Sequence, residues 1–426
     1  MPDRTDPPAY RDLIRVFGRI GLLSFGGPAA QIALMHRELV ETRPWLDPQG
    51  FLRALSLCML LPGPEAMQLA TYAGWRLRGV PGGLIAGALF VLPGAAVIAA
   101  LVALYVSFGT LPAVQAAFLG IKAGVIVIVL QALRGLARRA LGTRTAWGIA
   151  ALAFAGIFAL NLPFPLILLA AAALGTITAP PGGKADPAPR PVPIGSTLPH
   201  TLLRATAWAL AWLVPLAALS LAGLELLAGI GWFFAWLAVV TFGGAYAVLA
   251  YMTQTVVDAY GWISAPQMID ALGLAETTPG PLILVTQFVA MLAGALQGGF
   301  GLALAAGLVA LWATFVPCFL WIFTAAPYLE RLSDRPRLTA ALSGITAAVT
   351  GVILNLSLWF ALHVLFQEVG TAVLGPMRLP LPILATIDPH ALALTLLAAL
   401  LMLVLRRSIP VSLPVLAAAG LLSGLM

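Results

Sequence analysis

Four short motifs set glycine beside proline or a small hydroxyl in otherwise apolar surroundings: Ser24-Phe25-Gly26-Gly27-Pro28, Pro62-Gly63-Pro64, Thr241-Phe242-Gly243-Gly244 and Pro279-Gly280-Pro281. Proline cannot donate the helical hydrogen bond and glycine tolerates positive φ, so each motif is expected to end one half-helix and start another. Half-helix N-termini present unpaired N–H groups and a positive dipole end, a ready place for an anion. A tetrahedral oxyanion needs several converging donors more than it needs any one base. Ser24, Gln31, Gln68, Thr241, Thr277, Thr278 and Gln287 are neutral donors close to these breaks. Glycine and proline also kink or closely pack membrane helices without any ligand, and it is their recurrence at matched positions that favours a site.

Few ionisable residues lie near these motifs. Glu65 directly follows Pro64, whereas the matching position in the second set is Leu282. An intramembrane carboxylate is costly and is by default a functional candidate, here for proton coupling, for pairing with Arg76 or as a backbone cap. Lys122 is the one basic residue well inside an apolar run, and it either offers charge to an anion or snorkels to the interface. Arg76 and Arg78 stand at a segment end and read as orientation signals, and His36 beside Arg37 reads as a loop residue. Cys58 and Cys318 are far apart in apolar runs, and His36, His200, His363 and His390 never pair at helical metal spacing, so neither a metal nor another cofactor is expected. No activated nucleophile or acid–base pair is evident, which argues against an enzyme.

The elements that must carry these motifs are membrane helices. Of 426 residues 61% are hydrophobic and only 9% charged, and the mean hydropathy is +0.99, which excludes a soluble globular domain. The net charge of +7 arises from Lys and Arg in short loops between apolar runs, where they set membrane orientation rather than bind nucleic acid. The N-terminus is polar and Pro-rich, lacks a small-residue cleavage site, and is expected to stay in the cytoplasm.

An internal repeat organises the chain. One offset of 217 carries Ser24–Pro28 onto Thr241–Ala245, Trp45 onto Trp262 and Pro62–Pro64 onto Pro279–Pro281; further on, Leu160 to Gly175 resembles Leu405 to Gly420. Residues 1–177 and 231–426 therefore form two repeats, joined by a Pro/Gly-rich cytoplasmic linker at 178–200 and an extra inverting span at 201–230. Charge supports the inversion. The loop 36–53 holds Arg37, Arg43 and Arg53, while its partner 253–270 has no base and carries Asp258 and Asp270. The loops 107–112 and 327–337, 134–144 and 363–383, and 161–165 and 406–410 are likewise each a basic member with a nearly neutral one. The expected fold is an all-α polytopic membrane protein, two homologous halves in an inverted-topology repeat with broken or re-entrant helices at the Gly/Pro motifs. Such repeats are a recurrent plan of secondary transporters.

In these residues the chain resembles the chromate ion transporter family in its long, two-domain form. Ser24-Phe25-Gly26-Gly27-Pro28 with Gln31, then Leu61-Pro62-Gly63-Pro64-Glu65-Ala66 with Gln68-Leu69-Ala70 and Tyr72, then Gly74-Trp75, Gly82-Gly83 and Phe90 to Gly94 look like that family's first-half signature. The resemblance implies a multi-pass protein of the bacterial inner membrane that exports chromate, driven by the electrochemical gradient, with sulfate as the similar dianion. The sequence also allows a homodimer. The second half departs in having Ala245 for Pro28 and no acid matching Glu65, so unequal work by the halves is expected. The rival readings are transport of sulfate or another small anion, a channel, and a membrane enzyme or scaffold.

Overall fold

The computed structural model describes residues 7–25, 27–178, 198–242, 245–328, 336–375 and 377–424. Gly26, Gly243, Gly244 and nearly all of the linker at 178–200 lie outside them. The first helices are short because the motifs interrupt them: α1 (Tyr10–Leu23), α2 (Gly27–His36) with a π-helical turn at 37–42, and α3 (Pro48–Leu60). His36, read from sequence as a loop residue, closes α2 and bonds Glu41 at 3.0 Å. Then follow α4 (Glu65–Phe108), α5 (Pro112–Ala140), α6 (Arg144–Phe158) and α7 (Phe164–Ile177).

The second half repeats this order. After α8 (Leu198–Leu221) come α9 (Glu225–Val240), α10 (Ala245–Thr253) with a π turn at 254–259, α11 (Ala265–Glu276), α12 (Val285–Ala325), α13 (Pro336–Leu365), α14 (Pro389–Ala399) and α15 (Ile409–Ser423). Local details recur with the order. Asp47 caps α3 through Gly50 N, and Ser264, 217 residues later, caps α11 in a reciprocal box with Gln267. Asn161 and Arg406 share φ 51°, each followed by a residue whose N–H reaches six residues back, Leu162 to Gly156 O and Arg407 to Leu401 O.

Helix α4 is two helices. Arg78 (φ −140°) and Gly79 (φ 64°) break it, and Gly298 (φ −151°) and Gly299 (φ 72°) break α12 in the same way. Beyond each break the chain turns back. Gly74 lies directly against Gly82 O, and Gly294 against Leu302 O at 2.7 Å from where a Cβ would sit. Residues eight apart in a continuous helix would be about 12 Å apart along the axis. The short arms, 65–77 and 285–297, are about 20 Å long, less than the roughly 30 Å hydrocarbon core, whereas the long arms 80–108 and 300–325 exceed it. Among the described residues, five helical spans are long and apolar enough to cross a membrane: 65–108, 112–140, 199–221, 282–328 and 339–365.

Two compact units cut across the halves. One comprises Met1–Val102, Lys184–Ala245 and Thr278–Arg335; the other Ala103–Gly183, Tyr246–Thr277 and Pro336–Met426. In the first, Trp208 stacks on Phe319 at 5.8 Å and Trp212 Nε1 donates to Ala313 O at 3.0 Å, fastening α8 to the long arm of α12. In the second, α5 packs on α15 and α13 on α7 through small residues: Gly120 against Leu416 O and Gly420 against Ala116 O, matched by Gly344 against Ala171 O and Gly175 against Ala340 O. Glycine lets these backbones approach where no Cβ would fit.

Two features differ from the sequence reading. The apolar run placed at 201–230 is divided at Gly223 (φ 69°): α8 ends at Leu221, Leu224 N closes onto Leu219 O, and the residues beyond belong to α9. The stretch 363–383, read as a loop in an all-helical chain, contains an antiparallel hairpin, β1 (Val369–Leu374) and β2 (Met377–Pro382), turned at Gly375 (φ 60°).

Candidate functional site

In the first unit the helix breaks brace one another crosswise. Ser24 ends α1 and its Oγ donates to Ile20 O at 2.6 Å; Thr241 ends α9 and its Oγ1 donates to Leu237 O at 2.5 Å. The carbonyl so exposed in each half meets the other half's Pro-Gly-Pro turn: Gly280 N donates to Ser24 O at 2.9 Å and Gly63 N to Thr241 O at 2.8 Å. An exchange of equivalent contacts is the mark of a two-fold relation between the two segments. Gly63 (φ 116°) and Gly280 (φ 89°) adopt backbone conformations that a residue with a Cβ would hold only under strain.

Side-chain amides complete the braces. Gln31 Nε2 donates to Gly280 O at 2.7 Å, with Ser24 O at 3.4 Å, and Gln68 Nε2 donates to Pro62 O at 2.6 Å. Gln287 Nε2 donates to Ala95 O at 3.0 Å, one residue from Gly94, which packs directly under Pro279 O. The polar contacts run on through the unit. Cys318 lies 3.3 Å from where a Cβ on Gly63 would sit, its Sγ reaches Thr314 O, and Thr314 Oγ1 is 3.4 Å from Thr286 Oγ1 beside Gln287. Ser24, Gln31, Gln68, Thr71, Thr241, Thr286, Gln287 and Thr314 are all buried.

The expected donors are therefore engaged. Ser24, Gln31, Gln68, Thr241 and Gln287 direct their hydrogens at backbone carbonyls that the breaks expose, and Thr277 Oγ1 does the same toward Leu274 O at 2.7 Å. At these breaks two buried acceptors, Gln68 Oε1 and Gln287 Oε1, have no hydrogen-bond donor among the described residues. Both amides lie just after a break: Gln68 N donates to Pro64 O at 3.1 Å, and a 3-10 turn at Leu282–Leu284 leads into the helix that carries Gln287. Phe25, Phe242 and Pro62 are half-buried, and Gly27, Pro64, Pro279 and Pro281 line the same turns.

The charged candidates separate. Glu65 is half-buried at the first position of α4, where its negative end suits the helix dipole, and among the described residues it joins no ion pair. Arg76 is exposed and lies about 16 Å along the same arm, out of reach of Glu65. Lys122 neither snorkels nor stands free. In the second unit its Nζ is 2.8 Å from Asp270 Oδ1, with side-chain exposures of 19% and 7%, and Tyr105 OH donates to Asp270 Oδ2 at 2.8 Å. Asp270 was legible only as a loop acid; its place in the apolar run 268–275 was the signal for a buried partner.

Comparison with known proteins identifies a family. A family model described as chromate transporter matches residues 11–176 and 228–425, both halves of the chain. The chromate transport protein of Cupriavidus metallidurans is 33% identical over 355 residues, 81% of this chain and 82% of its own. That of Pseudomonas aeruginosa is 34% identical over 362 residues, 82% and 80% respectively, and a probable chromate transport protein of Synechococcus elongatus is 33% identical over 351 residues, 81% and 84%. No solved structure matches the chain.

Proposed function

Since the chain belongs to the chromate transporter family, a family of multi-pass membrane transporters rather than enzymes, we propose that it is a secondary transporter that exports chromate from the cytoplasm, driven by the electrochemical gradient. The observation that carries this reading is the crosswise pair of hydrogen bonds, Gly63 N to Thr241 O and Gly280 N to Ser24 O. It joins four broken helix ends in one buried polar region, and unsatisfied backbone at membrane depth is tolerated only inside protein or along a wet cavity.

On this reading residues 1–177 and 231–426 are opposed across the bilayer, and the short arms 65–77 and 285–297 re-enter it. The anion lies at the breaks, against Ser24–Gly27, Gln31, Pro62–Pro64 and Gln68 in one half and Thr241–Gly244 and Pro279–Pro281 in the other. Glu65 is the coupling candidate there, because its charge at the head of α4 competes with an arriving anion. Two halves in one chain supply both breaks, so the site needs no homodimer. An inside-negative potential pushes an anion outward by about 2.3 kcal/mol per charge per 100 mV. Backbone dipoles alone distinguish two tetrahedral dianions poorly, which keeps sulfate as the rival substrate.

Uptake of radiolabelled chromate into inverted membrane vesicles tests the proposal. Uptake above that of vesicles lacking the protein, and dependent on an imposed gradient, is expected. No uptake with folded protein in the membrane would move the assignment to another anion.

A further inference from the structure

Helix α1 carries a charged face that the breaks do not use. Leu13, Val16, Phe17, Ile20 and Gly21 form its buried face, and Arg11, Arg15 and Arg19, spaced four apart, stand exposed on the opposite one. A Cβ on Gly18, beside them, would meet nothing within 4 Å. Arg11 and Arg15 join no ion pair among the described residues. Arg19 is 57% exposed and shares the buried Glu38 with Arg43: Arg43 Nη1 lies 2.6 Å from Glu38 Oε2, whereas Arg19 Nη1 lies 3.8 Å from Oε1. One carboxylate between two guanidinium groups leaves a positive surplus, against which α1 itself offers only Asp12. Arg78 fixes the outer end of the helix, donating to Pro8 O at 2.7 Å and Pro7 O at 2.8 Å and lying over the Tyr10 ring.

The second half has no such face. The offset of 217 carries Arg11, Arg15 and Arg19 onto Ala228, Trp232 and Trp236, and on α9 the two tryptophans are 44% and 48% exposed. Indole suits the lipid interface, whereas a guanidinium group facing hydrocarbon is costly. With the break after α1 near the membrane midplane, Arg19 and Arg15 lie only about 8 and 14 Å along the helix from Ser24, inside the roughly 15 Å half-thickness of the hydrocarbon core. Arginines exposed at that depth belong beside water rather than lipid tails. Resting on the transport reading above, we propose that Arg11, Arg15 and Arg19 line the cytoplasmic entry of the route, where they collect the oxyanion and lead it to the break at Ser24. A guanidinium group matches two oxygens of a tetrahedral oxyanion, and three in a row raise the local anion concentration. Glu38 holds Arg19 in place without neutralising it. The opposite mouth, with Trp232 and Trp236 in the matching places, has an aromatic rim instead of a collector.

The test is chromate uptake into inverted vesicles, whose outer surface is the cytoplasmic one, at a fixed imposed gradient and two ionic strengths. In Arg15→Gln and Arg19→Gln the KM is expected to rise about fivefold at an ionic strength of about 0.01 M, with the maximal rate nearly kept, and to approach the parental value near 1 M, where screening acts within about 3 Å. Arg15→Lys and Arg19→Lys are expected to keep the parental KM, and Trp232→Gln with Trp236→Gln to keep its salt dependence. Arg15→Cys varies the charge on one folded protein: a cationic thiol reagent added to the vesicles should restore the KM and an anionic one should raise it further, with the parent, whose Cys58 and Cys318 are buried, treated alongside. A parental KM in both glutamine variants, or a rise equal at low and high salt, would overturn the proposal while leaving chromate transport standing. A loss of maximal rate that lysine does not restore would also overturn it, since that is the mark of a structural role. So would a KM shift present only in vesicles containing anionic lipid, which would assign the arginines to lipid phosphates. Absence of uptake by the parent protein would instead remove the transport reading itself.

Discussion

At the scale of the residue, most of the polar chemistry is absorbed by the breaks themselves. A proline–glycine turn inside an apolar chain exposes carbonyls, and Ser24, Thr241, Gln31 and Gln68 are placed to cover them. The residue whose removal should be most legible is Lys122. It faces Asp270 across a 2.8 Å contact in the second unit, and Tyr105 holds the other carboxylate oxygen. Breaking a buried pair from one side strands a charge, at about 3–5 kcal/mol, while replacing both partners by apolar groups is often near neutral. Lys122→Met is therefore expected to lower thermal stability in detergent strongly, and Lys122→Met with Asp270→Leu to regain most of the loss. Additive losses in the double variant would show that the two side chains do not depend on each other.

At the scale of the element, the informative feature is the return of α4 and α12 on themselves at Gly79 and Gly299. A glycine with positive φ reverses the chain, and Gly74, Gly87, Gly294 and Gly307 let the arms close. At Gly307 a Cβ would fall on the side chain of Met291, although the two residues are 16 apart and would be about 24 Å apart in a straight helix. Replacing Met291 and Gly307 by cysteine, with Cys58 and Cys318 changed to Ala, should give a disulfide on mild oxidation, detected as loss of alkylation sites. A pair that stays fully reactive in folded protein would argue for one continuous helix.

At the scale of the whole molecule, the repeat appears as exchanged contacts within each unit rather than as two separate halves. The first unit pairs each Pro-Gly-Pro turn with the other half's carbonyl, and the second pairs α5 with α15 and α13 with α7 through matched glycines. The proposed inversion has a consequence for access. The exposed Val373 on β1, between α13 and α14, and the exposed Arg139 in the last turn of α5, beside the connection to α6, lie in comparable parts of the two halves. Val373→Cys should react with an impermeant thiol reagent added to intact cells, and Arg139→Cys only after the membrane is opened. Labelling of both from the same side would exclude opposed halves.

Much of this was legible along the chain, for a physical reason. Composition announces a membrane protein because hydrocarbon admits few polar residues, and the break positions are readable because proline and glycine act on their own backbone. The motifs at 24–28, 62–64, 241–244 and 279–281 coincide with interruptions between described helices. The repeat was visible for the same reason, and its alignment drifted where the second half inserts a β-hairpin in place of the short loop after Ala140. Partners were not legible. Lys122 and Asp270 are 148 positions apart, and Gly63 and Thr241 are 178 apart, so nothing in the local pattern of either states which arrives. The amides at 31, 68 and 287 read as donors to a ligand; only the packed structure shows their hydrogens turned to backbone carbonyls and two oxygens left over, because a hydrogen bond depends on the group that tertiary folding brings within reach.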